Sequence, residues 1–340
     1  MERGGGPFPR LRGAGVDEGL EVTRNRPVVS VIIPTRNRPG MVVRAIRSVL
    51  DQEVAGSPAP EGAIEILVVD DASAEETAEA VESLHRPEIR YLRHDRRRGA
   101  GAARNTGIEE ARSDRLAFLD DDDEWMPQKL ALQIEALDES SDDVGAVHCA
   151  FEVVSSVTGR VVHTANRDRP HEGTPEAFLR STGFPTSIPL IKKICFDEAG
   201  LFDTSLPGSQ DRDMWVRIAR RRAFLHVPRV LARHYIHGDQ ITADLKSKIR
   251  AKTMFLRKHG EALASHPDIM ADQLERLGMM WWLDGDARKG TACFTKALGL
   301  QPARPSALRN IELSRNDPDR YRRHLLESVF KNVDGISLFY

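Results

Sequence analysis

The amino-acid sequence predicts an α/β protein with a mostly parallel sheet flanked by helices, followed by a small α-helical region. Between residues 28 and about 152, strand-length apolar runs alternate with helical apolar stripes, a rhythm typical of βαβ units. After residue 243 the pattern becomes helical only. At roughly 150 residues per domain, a chain of 340 residues is long enough for about two domains.

The first predicted element is a strand at residues 28–34 (VVSVIIP), a continuous β-branched run typical of a strand buried on both faces. Pro39 then begins a helix, because Val42, Ile46 and Val49 recur at helical spacing. Further strands are predicted at 64–69, 89–92, 116–119 and 144–151, with helices between them, including one at 102–111 and one opened by Pro127.

The remainder of the chain is less regular at first and then helical. A hairpin is predicted around Thr158-Gly159 and a helix near residues 211–222. A later helix has one apolar face through residues 270–281 and ends at Gly285, and a second follows at 292–298. The predicted divisions are a disordered segment at 1–27, a main domain at 28–243 and a helical appendix at 244–340.

Composition excludes several classes of protein. Lys and Arg number 49 against 51 Asp and Glu, so the basic excess of a nucleic-acid partner is missing. Cys149, Cys195 and Cys293 are too widely spaced for a zinc site or a disulfide scaffold. No apolar run is long enough to span a membrane, and the first residues lack the apolar segment of a signal peptide. We therefore expect a cytoplasmic protein.

Carboxylates follow two of the predicted strands. Residues 120–124 (DDDDE) come directly after the strand at 116–119, and Asp70-Asp71 follow the strand at 64–69. Ligands of open parallel sheets bind at this edge. Asp120 and Asp122 point the same way in extended chain and could share a divalent ion, for which Mg²⁺ or Mn²⁺ suits oxygen ligands. A solvated acidic loop is the alternative for residues 120–124, and a helix cap is the alternative for Asp70-Asp71.

Two further polar clusters are candidates for ligand binding. The glycines near residues 99–104 do not fit a dinucleotide motif, because Arg104 takes the third glycine position. Arg104 could hold a diphosphate oxygen, whereas the run 96–98 is more typical of a solvated turn. Asp211 and Asp213 open a helix, where a cap is the alternative function. His234 and His237 are candidate metal ligands or ordinary loop histidines.

Five ordered motifs together resemble the inverting family 2 glycosyltransferases of the GT-A fold. They are VSVIIPTRNRP (29–39), ILVVDDAS (66–73), RRGAGAARNTGIEEA (97–111), FLDDDDEWMPQKL (118–130) and GLFDTSLPGSQDRDMWVRIA (200–219). The resemblance covers roughly residues 28–240, about two thirds of the chain. It implies transfer of a sugar from a nucleotide-diphosphate donor, most often a UDP-sugar, to an acceptor hydroxyl of a glycan, a lipid carrier or another molecule.

The resemblance also implies the site residues. Asp211 corresponds to the catalytic base, although Gln210 replaces the usual preceding Glu. Asp120 and Asp122 are the metal-binding ends of the D-x-D motif and would hold Mn²⁺ or Mg²⁺. The residues that would contact the nucleotide sugar are Pro34, Thr35, Arg36, Asp71, Arg104, Asp121 and Asp122. Asp71 would accept a hydrogen bond from the base, and Arg36 would replace a stacking aromatic residue.

The helical appendix resembles one tetratricopeptide repeat at about residues 271–304, carried by Leu277-Gly278, Trp281, Gly290 and Phe294. One such repeat needs neighbours to bury its face, so it would pack on the main domain, form homo-oligomers or bind a partner. For the arginine clusters at 96–98 and 220–222, peripheral contact with an anionic membrane is one expectation, and a solvated basic face is the favoured alternative. Acceptor specificity is expected in residues 160–208.

Two other classes of function are weighed against sugar transfer. A nucleotidyltransferase would need a glycine-rich phosphate loop after the first strand, and no glycine precedes Gly40 there. A non-catalytic scaffold with a decayed transferase domain should have lost its acidic residues, yet all three acidic sites are present.

Overall fold

A computed structural model describes residues 26–54, 57–168, 171–236 and 245–331, with side chains described up to residue 326. The strands are β1 (Val29–Thr35), β2 (Glu53–Val54), β3 (Ser57–Pro58), β4 (Ile64–Asp70), β5 (Ile89–Arg93), β6 (Arg115–Phe118), β7 (Glu124–Trp125), β8 (Val144–Ser155), β9 (Val161–Ala165), β10 (Leu190–Lys192) and β11 (Ala223–Ile236).

The helices alternate with these strands and then continue alone. They are α1 (Pro39–Leu50), α2 (Glu75–Glu82), α3 (Ala100–Glu110), α4 (Lys129–Asp138), α5 (Pro175–Arg180), α6 (Ile194–Ala199), α7 (Gln210–Ala219), α8 (Leu245–Lys258), α9 (Gly260–Ala264), α10 (Pro267–Asp284), α11 (Ala287–Leu300), α12 (Pro305–Asn316) and α13 (Pro318–Lys331). No helix in the described ranges is both long and apolar enough to cross a membrane.

Nine strands form one mixed sheet in the order β5-β4-β1-β6-β10-β8-β11-β7, with β9 paired to β8. The strands β5, β4, β1 and β6 are parallel to one another, as predicted. The sheet is less parallel than expected beyond β6, because β10 runs antiparallel to both of its neighbours. That strand has only three residues, too short to show a period in the sequence.

The parallel half of the sheet brings the predicted site segments to one edge. All seven residues of β1 and of β4 are buried, and their register pairs Thr35 with Asp70 at the carboxyl end. Next to them, β6 ends at Phe118, immediately before Leu119 and Asp120. The expectation that both acidic clusters lie on the same edge is therefore confirmed.

Several predicted boundaries shift by a few residues. The helix expected to open at Pro127 begins at Lys129, and α3 begins at Ala100, two residues before its predicted start. The predicted hairpin is present as the antiparallel pair β8 and β9. The helix predicted at 211–222 ends at Ala219, because the chain enters β11 at Ala223.

The first C-terminal helices belong to the main hydrophobic core. Ile249 and Phe255 of α8 and Ile269 and Leu277 of α10 are buried in the cluster that also contains the sheet. A smaller cluster joins Trp282 and the later helices. The predicted boundary at residues 243 and 244 lies outside the described residues, as do residues 1–25 of the segment predicted to be disordered.

The helices α10 and α11 form a close antiparallel hairpin. Gly285, with φ of +93°, ends α10 in the left-handed conformation, which glycine adopts without steric cost. A Cβ atom on Gly278 would lie 2.5 Å from the Phe294 ring, and one on Gly290 would lie 2.2 Å from the Trp282 ring. The small residues are thus required by close packing, and similarity to a tetratricopeptide repeat stays a prediction.

Candidate active site

A cavity of about 370 Å³ opens at the carboxyl edge of β1, β4 and β6. It lies among the loops that follow these strands and the first turns of α3. Its lining residues include every predicted contact of the nucleotide sugar and both predicted metal ligands. Those residues are Pro34, Thr35, Arg36, Asp71, Arg104, Asp120, Asp121 and Asp122. Four separate segments of sequence therefore converge on one concave site, which we call the donor pocket.

Asp120 is held on both sides of its carboxylate. Arg104 donates from Nη2 to Oδ1 at 2.5 Å, and Thr186 donates from its hydroxyl to Oδ2 at 3.0 Å. Burial opposes ionisation of Asp120, but the charge and hydrogen bond of Arg104 outweigh it and lower the carboxyl pKa. Asp120 therefore stays ionised at neutral pH.

Asp121 and Asp122 share one arginine that the sequence analysis did not single out. Arg38 Nη1 lies 2.8 Å from Asp121 Oδ1 and 3.0 Å from Asp122 Oδ2. The Thr35 hydroxyl also donates to Asp121 at 2.8 Å. Burial and repulsion by Asp123, Asp120 and Asp121 nevertheless raise the pKa of Asp122 to about 7. The site thus concentrates more negative charge than its arginine partner neutralises.

Asp123 does not line the donor pocket but accepts hydrogen bonds that hold neighbouring segments together. It is fully buried and accepts hydrogen bonds from the Ser187 hydroxyl, His234 Nδ1 and the Tyr235 backbone N–H. His234 is half-buried, which disfavours its charge, yet Asp123 raises the histidine pKa to about 9. His234 is therefore engaged by a carboxylate, and His237 lies outside the described residues.

Of the Asp70-Asp71 pair, Asp71 lines the donor pocket and Asp70 does not. Asp70 is fully buried and accepts from the Ser73 backbone N–H at 3.0 Å, in the turn before α2. Asp71 lines the donor pocket and accepts from His94 and from the backbone N–H groups of Arg98 and Gly99. Burial disfavours its charge, but these hydrogen bonds prevail and lower the pKa of Asp71.

Arginines surround the donor pocket. Arg36 is exposed on its rim, and Arg38, Arg97 and Arg104 also line it. The buried Nε of Arg104 has no hydrogen-bond partner among the described residues. Arg97 belongs to the run predicted to be a solvated turn, and it is exposed while also lining the pocket. The spacing of Arg36 and Arg38 after a buried strand was the signal that could have identified Arg38.

Asp211 does not line the donor pocket but begins the helix beside it. Its Oδ1 accepts from the Arg212 backbone N–H at 2.7 Å, in the first turn of α7. Burial raises its pKa, while Arg104 and Asp120 are close enough to shift it in opposite directions. Gln210, the departure from the family pattern, donates to the Leu206 carbonyl at 2.8 Å and packs against Gly101 of α3.

The carboxylates at the pocket provide some, but not all, of the ligands that a divalent cation needs. Two predicted ligands, Asp120 and Asp122, are oxygen donors in a region of excess negative charge, which fits Mg²⁺ or Mn²⁺. Within the described ranges, no group of three or more His, Cys, Asp or Glu residues has the geometry of a complete metal site. Mg²⁺ is commonly held by one or two carboxylates plus substrate phosphates, so the residues present fit a metal bound together with a nucleotide.

The fold and the pocket define a class of α/β protein with an acidic site at the carboxyl edge of its sheet. Residues 30–198 match the family model described as glycosyl transferase family 2. An uncharacterized glycosyltransferase of Rickettsia prowazekii, RP339, is 30% identical over 64% of this chain and 66% of its own length. The chain thus spans slightly under two thirds of that relative.

Two solved structures share the fold. Staphylococcus aureus TarS, residues 1–349, in complex with UDP-GlcNAc, has a TM-score of 0.59 and 16% identity, over 89% of this chain and 91% of that one. The mannosyltransferase PcManGT from Pyrobaculum calidifontis, in complex with GDP-Man and Mn²⁺, has a TM-score of 0.55 and 21% identity, over 91% and 87%. The chain belongs to glycosyl transferase family 2. Its predicted fold class is confirmed.

Proposed function

We propose that this protein is an inverting, metal-dependent glycosyltransferase. It moves a sugar from a nucleotide-diphosphate donor, with a UDP-sugar as the favoured donor, to an acceptor hydroxyl. The observation that carries the proposal is the donor pocket, where all predicted donor contacts lie together. Its volume of about 370 Å³ falls within the usual range for small-ligand sites. Relatives and structural neighbours that are named as glycosyltransferases, or bind UDP-GlcNAc or GDP-Man, support it.

Arginines provide the first requirement, which is to hold a diphosphate. Arg104 keeps one buried N–H donor without a partner, and a phosphate oxygen would satisfy it. Arg36, Arg38 and Arg97 add positive charge around the same space. Pro34, Thr35 and Asp71 also line this space, and Asp71 would accept a hydrogen bond from the nucleotide base.

Asp120 and Asp122 would hold Mn²⁺ or Mg²⁺ together with the donor diphosphate. A bound divalent ion supplies Lewis-acid stabilisation of the negative charge on the departing nucleoside diphosphate. Asp121, hydrogen-bonded to Thr35 and Arg38, would lie near the ribose or the sugar. The Mn²⁺ in the PcManGT complex supports a divalent ion at such a site.

Asp211 would remove the proton from the acceptor hydroxyl as that oxygen attacks the anomeric carbon. The new bond forms as the bond to the diphosphate breaks, so one displacement inverts the configuration without a covalent intermediate. The raised pKa of Asp211 makes it a stronger base than an exposed aspartate. Its position at the start of α7, between the donor side and α5, suits this role.

The test separates binding from chemistry. Asp211→Asn removes the base but keeps the side-chain shape, so nucleoside diphosphate binding should be retained while sugar transfer falls by about 10²-fold or more. Binding is measured by calorimetry, and turnover by release of the nucleoside diphosphate. Turnover unchanged in Asp211→Asn would exclude Asp211 as the base.

The other expectations about the protein's setting stay predictions. The first is a cytoplasmic location, with peripheral contact at the inner face of the membrane. The second is the formation of homo-oligomers through the helical tail. For the tail, the core shared by α8, α10 and the sheet supports packing on the main domain.

A further inference from the structure

A second cavity, of about 590 Å³, is connected to the donor pocket through one short segment of chain. Phe184 and Pro185 line this second cavity, whereas the next two residues bind the acidic cluster. Thr186 donates to Asp120 at 3.0 Å, and Ser187 donates to Asp123 at 2.5 Å. One short segment therefore separates the second cavity from the predicted metal ligands.

The residues on either side of Asp211 contact elements that border the two cavities. On the donor side, Gln210 packs against Gly101 of α3, next to Arg104. On the other side, Arg212 Nε donates to the Phe178 carbonyl of α5 at 2.7 Å. Since Ala177 of the same helix lines the second cavity, the predicted base begins α7 between the helices that border each cavity.

The lining combines an apolar wall with a polar rim. The wall includes Phe151, Val153 and Ile236, and the rim includes Asn166 and Glu172. A sugar ring presents C–H groups on its faces and hydroxyls on its edge, so it matches a lining of this kind. The volume also lies within the range of small-ligand sites.

The charges of the lining disfavour an anionic ligand. Arg180 is bound by Asp268 and Asp272 at 2.5 and 2.7 Å, and His234 is bound by Asp123. Glu172 and Glu176 add negative charge at the rim. Among the described lining residues, the cations Arg180 and His234 are thus compensated by carboxylates, so a phosphate or sulfate would meet repulsion from Glu172 and Glu176.

His171 adds a neutral donor. Its Nδ1 accepts from the Gly173 backbone N–H at 3.1 Å, so the ring hydrogen is on Nε2, which is buried without a partner among the described residues. Burial lowers the pKa of His171 to about 4, and the ring is uncharged at neutral pH. A ligand hydroxyl oxygen would satisfy this donor without bringing charge into the cavity.

We infer that the second cavity binds the acceptor and that this acceptor is a neutral saccharide rather than a phosphorylated lipid or an anionic polymer. The inference rests on the proposed function, because it takes Asp211 as the base that the acceptor hydroxyl must reach. It assigns the apolar wall to sugar faces and the rim with His171 to sugar hydroxyls.

The experiment probes the full chain against an array of neutral, sulfated and phosphorylated oligosaccharides, and against vesicles of phosphatidylglycerol carrying a polyprenyl phosphate. Binding is measured with and without UDP and Mn²⁺. Ala177→Trp fills the second cavity, and Ala303→Trp places the same side chain on an exposed loop between α11 and α12 as a matched control. Thermal unfolding shows that each variant is folded.

We expect binding to neutral oligosaccharides that falls at least about tenfold in Ala177→Trp, is unchanged in Ala303→Trp, and leaves calorimetric binding of UDP unaltered. Glu172→Lys, an exposed change that tests charge even if Ala177→Trp does not fold, should raise the binding of anionic glycans relative to that of neutral ones, because it replaces a negative charge at the rim by a positive one. Preference of the wild-type protein for the vesicles or for anionic glycans would overturn the inference, as would neutral-glycan binding that survives in Ala177→Trp. If the wild-type protein does not bind UDP, this result counts against the proposed function and not against the acceptor inference, because glycan binding is measured separately.

Discussion

Asp211 and Asp122 are both carboxylates with raised pKa values, but for different reasons. Burial is the main cause at Asp211, whereas at Asp122 repulsion from three neighbouring aspartates adds to burial. A cation would relieve repulsion at Asp122 directly, whereas at Asp211 repulsion by Asp120 is a smaller cause than burial. The two groups should therefore respond differently to metal and to pH.

The pH dependence of turnover follows from Asp211. A base must be deprotonated, and the pKa of Asp211 is raised above 3.8, so kcat should fall as pH drops through that raised pKa. The acidic limb should thus lie above the pH at which an ordinary aspartate titrates, and it should be missing from the residual activity of Asp211→Asn. A limb retained unchanged in this variant would assign it to another group.

Site residues could be predicted from the sequence where charged residues directly follow an apolar strand. Asp71 and Asp120 follow buried strands, so their place at the sheet edge could be derived from the sequence. The position of Arg38 after β1 could be derived in the same way, but its two carboxylate partners could not, because they lie more than 80 positions away in the chain. Likewise, nothing in the sequence indicates that the Thr186 and Ser187 hydroxyls donate hydrogen bonds to Asp120 and Asp123.

At the scale of elements, α3 is held close to β1 by a glycine. A Cβ atom on Gly107 would lie 2.4 Å from the Ile32 side chain, so Gly107→Ala should lower the free energy of unfolding by about 1–3 kcal/mol through overpacking. Gly40 is the matched control in α1, since a Cβ there has no neighbour within 4 Å. Gly40→Ala should be neutral or stabilise the protein by about 0.5–1 kcal/mol. Denaturant unfolding measures both, and equal effects would contradict the close packing of α3.

The helix α7 is anchored through Asp213 by the C-terminal helices. This fully buried carboxylate accepts from His259 at 3.0 Å and pairs with Lys258 at 2.8 Å and Arg217 at 2.9 Å. Burial disfavours its charge, but these partners outweigh burial and lower its folded-state pKa. Its contribution to stability is therefore present above the unfolded pKa and is lost as pH falls through the lower, folded pKa.

Removing that carboxylate tests the anchor. Asp213→Asn removes the charge that is hydrogen-bonded to His259, Lys258 and Arg217, and it should destabilise the fold by about 1–3 kcal/mol at neutral pH, because Lys258 and Arg217 keep other partners. The difference from wild type should shrink in acid, as the wild-type carboxyl is protonated. Thermal unfolding across the pH range measures it. A difference that does not change with pH would show that the charge of Asp213 is not the stabilising factor.

Element types were predictable where the apolar period was strong, as in β1, β4 and α1. The long strand β11 was not predicted, because exposed and half-buried positions interrupt its apolar residues and register shifts break its pairing with β8. Tertiary pairing decides the conformation of such a segment, and the sequence alone does not show the partner.

For the whole molecule, the C-terminal helices complete the core. Ile249, Phe255 and Leu263 are buried against the sheet domain, so deleting all residues after 243 would expose a large apolar surface. This truncation should give an insoluble chain or one that lacks cooperative unfolding. Truncation after 304 removes only α12 and α13 and should leave the main core and UDP binding in place. A folded, cooperative 1–243 fragment would show that the domains are independent.

The most direct test of the central claim is calorimetric titration with UDP, GDP, TDP and CMP, with and without Mn²⁺, on the wild type, Asp122→Ala and Asp211→Asn. The donor pocket predicts Mn²⁺-dependent binding of one nucleoside diphosphate by the wild type. That binding should be lost in Asp122→Ala, a predicted metal ligand, and retained in Asp211→Asn. If the folded wild-type protein binds none of these nucleotides, the pocket is not a donor site and the glycosyltransferase mechanism proposed here is contradicted.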